Sequence, residues 1–99
     1  MTVLRWTDQA VEDLRSIRLF IERDSPRYGR LVAERLYDAT SQIELFPYSG
    51  RMVPELNRED MRELIVGDYH IVYRVDDEVV FLLTIYRSSR LFLGHLFGE

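Results

Sequence analysis

Residues 61–75 read MRELIVGDYHIVYRV and hold four side chains able to act on a phosphodiester: Arg62, Glu63, His70 and Arg74. Cleavage of RNA needs a base, an acid and a cationic clamp on the phosphate. Glu63 and His70 are the acid–base candidates, and Arg74 is the clamp. Further on, YRSSRLF places Arg87 and Arg90 around two hydroxyls, a set that could hold phosphate or a carboxylate-rich partner, or serve solubility alone. His95 is the other histidine, near the end of an apolar tail, where a packed or solvated role is the commoner one. A plainer reading stands beside the nuclease one. Glu63 with His70 and Arg74 is also the pattern of a weak cross-strand ion pair on a partly solvated face, and that reading is preferred.

Whether these groups meet depends on the elements that carry them. Gly67-Asp68 between two apolar runs predicts a two-residue hairpin loop with glycine at its first central position. The register follows from that turn. Val66 faces Tyr69, Leu64 faces Ile71 and Arg62 faces Tyr73 on one face. Ile65 with His70, Glu63 with Val72 and Met61 with Arg74 share the other. Glu63 is then diagonal to both His70 and Arg74, within reach of long side chains. Arg62 ends the apolar face, where a helix carboxylate or Tyr73 would engage it, and is read as structural, as are Tyr69, Tyr73, Gly50 and Gly67.

The rest of the chain supplies covers for the apolar face. VLRW at 3–6 is a short strand. Thr7 caps a first helix whose stripe is Ala10, Leu14, Ile17 and Ile21. Ser25-Pro26 is a start signal for a second helix running to about Phe46, with stripe Val32, Leu36, Ala39, Ile43 and Phe46. Pro47, Ser49 and Gly50 end it. Residues 51–53 start an edge strand that Pro54 closes, 55–60 form a polar loop, Asp76 to Glu78 form a turn, and 79–86, VVFLLTIY, form an almost wholly apolar strand. One sheet face packs on the helices. The other is too apolar for water, so the tail 91–97, LFLGHLF, or another chain should cover it.

Ninety-nine residues make one domain, 1–99. The net charge of −4 argues against non-specific nucleic-acid binding. All thirteen basic residues are Arg, so no lysine can act in catalysis. There is no cysteine, hence no disulfide or thiolate chemistry. No metal-ligand spacing and no nucleotide-binding glycine pattern occurs, so no cofactor or metal is expected. No signal peptide or membrane-spanning run is read, and a cytoplasmic location without a membrane partner is the default.

Two stretches carry a family resemblance: P-x-x-G-R-x-V-P-E at 47–55 and R-E-L-x-V-x-x-Y-x-I-x-Y-R-V at 62–75. With the order of elements over residues 3–90, they make the chain resemble the RelE/ParE superfamily of toxins from toxin–antitoxin operons. The resemblance implies an α+β fold, an N-terminal α-helical hairpin packed on a twisted antiparallel sheet. It implies a cognate ParD-like or RelB-like antitoxin that wraps the toxin, and it leaves room for a homodimer. RelE-like members cut mRNA on the ribosome with a basic site. Here Met61 and Glu63 stand where lysine is usual and His70 where arginine is usual. Arg87 matches the arginine after the last strand, Leu93 replaces the expected tyrosine, and His95 is its stand-in. ParE-like members instead bind and poison DNA gyrase. The acidic balance and missing lysines suit that branch. The expected contacts are Arg74, Arg87, Arg90, Leu91, Phe92, Leu96 and Phe97. The alternatives are a ribosome-dependent nuclease using Glu63, His70, Arg74, Arg87 and His95, and an inactive toxin serving as operon co-repressor.

Overall fold

A computed structural model describes residues 2–88. The chain runs β1 (Val3–Trp6), α1 (Asp8–Glu22), α2 (Pro26–Leu45), β2 (Arg51–Met52), β3 (Met61–Val66), β4 (Tyr69–Asp76) and β5 (Val79–Arg87). The helices begin where their caps direct. The Thr7 hydroxyl accepts from the Ala10 N–H at 3.1 Å, and the Ser25 hydroxyl accepts from the Tyr28 N–H at 3.2 Å, with Pro26 opening α2.

The five strands form one sheet in the order β1-β5-β4-β3-β2. The fold is α+β, a helical hairpin on a sheet, and the sheet is mixed. Strands β2 to β5 pair antiparallel as expected, whereas β1 joins β5 in parallel, Val3 opposite Val79 through Trp6 opposite Leu82. A strand separated from its neighbour by both helices has the long crossover that parallel pairing requires. The β3–β4 register is the one the turn dictates, Val66 opposite Tyr69 and Arg62 opposite Tyr73, with Gly67 at φ 59° opening the loop.

The main core lies between the helices and one sheet face: Ala10, Val32, Leu36, Ile43, Ile71, Tyr73, Val75, Val80, Leu82 and Ile85. Leu14, Ile17, Ile21 and Ala39 pack against it, but Phe46, expected in the α2 stripe, is 65% exposed. It caps the helix C-terminus at φ −135°, already off the helical path, so the stripe ends at Ile43.

The opposite face is partly covered from within. Val53, Met61, Val72 and Tyr86 form a second buried cluster, with Leu56 and Leu83 against it. The cover is the segment between β2 and β3. Leu56 and Asn57 donate to the Val53 carbonyl at 3.1 and 3.2 Å, which folds the segment over the sheet. Its polar composition, ELNRED, hides the one leucine that packs.

A β-bulge between Val72 and Tyr73 shifts the β4–β5 register. Past the end of β1, β5 has no strand on that side, and α1 closes the edge instead. Asp13 accepts from the Ile85 N–H at 3.1 Å, from the Thr84 hydroxyl, and from the Gln9 amide at 2.7 Å. Thr7 donates its hydroxyl to the Leu82 carbonyl at 2.6 Å.

Candidate functional site

Glu63 is central to the outer sheet face and is 2% exposed. A buried carboxylate needs partners for its lone pairs. Arg51, directly opposite on β2, donates Nε and Nη2 to Oε1, both at 2.6 Å. His70, diagonal on β4, brings Nδ1 to 3.2 Å from Oε2. The far side of the imidazole, Nε2, lies 2.7 Å from Ser88 Oγ. Its ring stacks on Tyr86, centroids 5.0 Å apart and planes at 17°. Arg51, Glu63, His70 and Ser88 thus form one polar chain across β2, β3, β4 and the end of β5. Each link follows from the pairing register.

The electrostatics set the tautomer. With Glu63 ionised against Arg51, Nδ1 of His70 carries a proton and donates it to the carboxylate. In the neutral ring Nε2 is then the acceptor and the Ser88 O–H donates to it. Ser88 is exposed, and its own N–H donates to the Asp68 carbonyl at 2.7 Å. Tyr86, beneath the imidazole, has its phenol pushed up to about 12. Burial is the main cause, the charges of Glu63 and Glu55 add to it, and Arg51 opposes it.

The other expected site residues are distributed differently. Arg74 does not join the pair. It lies over the Phe81 ring at 4.9 Å and 3.5 Å from Asp76, four residues from His70 and so roughly 13 Å along the strand. Arg87 is exposed opposite Tyr69 and borders a groove of about 220 Å³ with Ser16, Ile17, Phe20 and Ile21. Arg62 takes no helix carboxylate among the described residues, and the ring it stacks on is Tyr48, although its charge reaches the Tyr73 phenol. It donates to the Glu59 carbonyl at 2.8 Å and the Gly50 carbonyl at 3.2 Å, and its guanidinium lies 5.0 Å from the Tyr48 ring centroid. Tyr73 is fully buried and accepts from the Gly50 N–H at 3.0 Å. Arg90, Leu91, Phe92, His95, Leu96 and Phe97 lie outside the described residues. Among the described residues no cluster of His, Cys, Asp and Glu has the makings of a metal site.

No sequence motif marks Arg51 or Ser88 as members of this polar chain. Arg51 was legible in principle, since an edge strand at 51–53 antiparallel to β3 sets an opposite charge across from Glu63. Ser88 was not, because its place depends on where β5 ends relative to β4.

The sequence model of ParE toxins of type II toxin–antitoxin systems matches residues 4–92. Toxin RelE2 of Caulobacter vibrioides is 33% identical over 91 residues, 92% of this chain and 100% of that one. Putative toxin Y4kP of Sinorhizobium fredii is 32% identical, covering 88% of this chain and 90% of its own. In structure, a chain of the chromosomal ParDE system from P. aeruginosa superposes with a TM-score of 0.75 at 20% identity, over 90% of this chain and 98% of that one. A chain of the RelBE2 toxin–antitoxin complex of Mycobacterium tuberculosis gives 0.55 at 24% identity, over 88% and 98%. At these identities the two structures speak for the fold.

Proposed function

This chain belongs to the ParE toxin family and is thus a toxin of the type II toxin–antitoxin class, and from that premise we propose that it acts by binding and poisoning DNA gyrase. The observation that carries this reading is the condition of Glu63. A general base must present a free lone pair to its substrate. Glu63 is buried, with Oε1 held by Arg51 and Oε2 by His70. Arg74 is committed to Asp76 and Phe81 and stands apart from the acid–base pair. No base and cationic clamp are therefore set together on the sheet for a phosphodiester, and the action on the target reads as one of binding. The surface proposed for the target or the antitoxin comprises Arg74, Arg87 and the segment containing Arg90, Leu91, Phe92, Leu96 and Phe97.

A cognate antitoxin is proposed as the neutralising partner, and the apolar side chains left exposed on the helices, Val11, Leu19, Phe20, Leu31 and Tyr37, are suited to such a cover. The cytoplasm, where gyrase works, is the proposed location. No helix among the described residues is long and apolar enough to cross a membrane.

The test is supercoiling by purified gyrase with excess folded toxin, with total mRNA examined in cells expressing the toxin alone. Inhibited supercoiling with cleaved DNA and intact mRNA is expected. Normal gyrase activity would overturn the proposal. The rival reading, a ribosome-dependent mRNA endonuclease, has one observation in its favour: His70 Nε2 faces the exposed side of the sheet. It requires that His70→Ala and Arg87→Ala abolish both mRNA cleavage and growth arrest. Absence of growth arrest would point to a co-repressor.

A further inference from the structure

We propose that Ser88 is an activated nucleophile that takes an acyl group from small activated carboxylic esters. The inference does not depend on what the toxin targets. It rests on a juxtaposition: an exposed hydroxyl 2.7 Å from an imidazole nitrogen whose other nitrogen lies 3.2 Å from a buried carboxylate. This is the order carboxylate, imidazole, hydroxyl that turns a serine into a nucleophile, and the order is recognised by geometry, independent of fold.

Each member has the property its role demands. Glu63 is fixed by Arg51 and holds Nδ1 of His70 in place. The imidazole is kept from turning by its stack on Tyr86 and is only 14% exposed. Ser88 is exposed, so a carbonyl carbon can approach Oγ from solvent. Ile65, paired directly with His70 and 49% exposed, offers an apolar rest for a short acyl chain.

The step balances within these groups. Ser88 Oγ forms a bond to the carbonyl carbon while its proton passes to His70 Nε2, and Glu63 stabilises the imidazolium. The tetrahedral adduct collapses with loss of the C–O bond to the leaving group, which takes the imidazolium proton. The product is an ester on Ser88. The Ser88 N–H, which would otherwise help hold the oxyanion, donates instead to the Asp68 carbonyl. That slows both steps, but the leaving group in deacylation is the Ser88 alkoxide, far poorer than that of an activated ester, so deacylation by water is the slower step and the acyl-enzyme accumulates: the site is a stoichiometric acceptor with little turnover.

The experiment uses the full chain with 4-nitrophenyl acetate and 4-nitrophenyl butyrate. Expected is a burst of about one equivalent of 4-nitrophenolate per chain, the butyrate faster than the acetate, with one acyl group on Ser88 by peptide mass spectrometry. General-base assistance is worth roughly a hundredfold or more. His70→Gln should slow the burst by that factor, and Ser88→Ala should abolish burst and label. Ser88→Ala removes only an exposed hydroxyl, so it keeps the fold, and a thermal melt verifies this. A burst that survives in Ser88→Ala, or labelling of Ser88 no faster than of exposed Ser16, overturns the proposal.

Discussion

Arg51 and Glu63 are joined by two short contacts, yet one partner is buried and the other is 55% exposed. That asymmetry decides what each substitution does. Removing Arg51 leaves a carboxylate inside the protein with His70 as its remaining partner, whereas removing the carboxylate leaves a guanidinium that water can solvate. Arg51→Ala should therefore cost about 2 kcal/mol in urea unfolding, the range of a hydrogen bond to a charged group. Adding Glu63→Gln to it should recover part of that loss, a coupling readable in a double-mutant cycle. Tyr86 gives a second prediction at this scale. Its phenol in the folded chain titrates at about 12, above the value near 10 of a free phenol. Between those values the unfolded chain has lost a proton that the folded chain retains. Its contribution is thus full below pH 10 and disappears as pH rises toward 12, on the order of 2 kcal/mol. Tyr86→Phe should flatten stability against pH over that window, and alkaline denaturation curves would show it.

The elements depend on a few contacts that span them. Asp13 on α1 supplies the acceptor for the Ile85 N–H at the strand edge that β1 leaves uncovered. Without it a buried donor has no partner, and Asp13→Ala should destabilise by about 1–3 kcal/mol. Amide exchange should accelerate first at Ile85. Unchanged protection there would show that another group closes this edge. Gly50 is where the turn after α2 meets the sheet. A Cβ there would sit 2.5 Å from the Tyr73 hydroxyl and 2.6 Å from the Glu63 carbonyl oxygen. The neighbour that must yield is partly backbone, so Gly50→Ala should lever β2 away from β3 and take Arg51 with it. A drop of roughly 2 kcal/mol in stability is expected, along with faster His70 exchange with solvent by NMR. The helix caps and the hairpin were readable in the sequence because their signals lie within a few residues. Asp13 was not: its acceptor role arises from a strand 72 residues later.

The whole molecule presents two sheet faces with different fates. One meets the helices, and the other is partly roofed by Leu56 and its neighbours, leaving a rim that holds Ile65, Arg74 and Ser88, while Arg87, beside Tyr69, lies at the same end of the sheet on the helix side. If the groove between α1 and the end of β5 is where the toxin meets gyrase, Arg87→Glu should weaken inhibition of supercoiling at least tenfold while the melting temperature stays within experimental error. A charge reversal on an exposed side chain perturbs association far more than folding. Inhibition that is unchanged in Arg87→Glu would remove this edge from the target interface.

Local patterning determined much of this protein. Caps at Thr7 and Ser25, the Gly67-Asp68 turn and the alternation after it set the helices, the hairpin register and the diagonal of Glu63 with His70, because each is a matter of near neighbours and fixed periodicities. The motifs at 47–55 and 62–75 pointed to the toxin superfamily for the same reason. Tertiary structure alone decided the rest. It made the β1–β5 pair parallel, since the two helices provide the crossover. It drew Leu56 from a polar loop over the outer face, turned Arg74 to Phe81 and Asp76, and brought Ser88 to His70. Those outcomes rest on contacts between distant parts of the chain, which depend on strand order and on where each strand ends, and neither is written in any short run of residues.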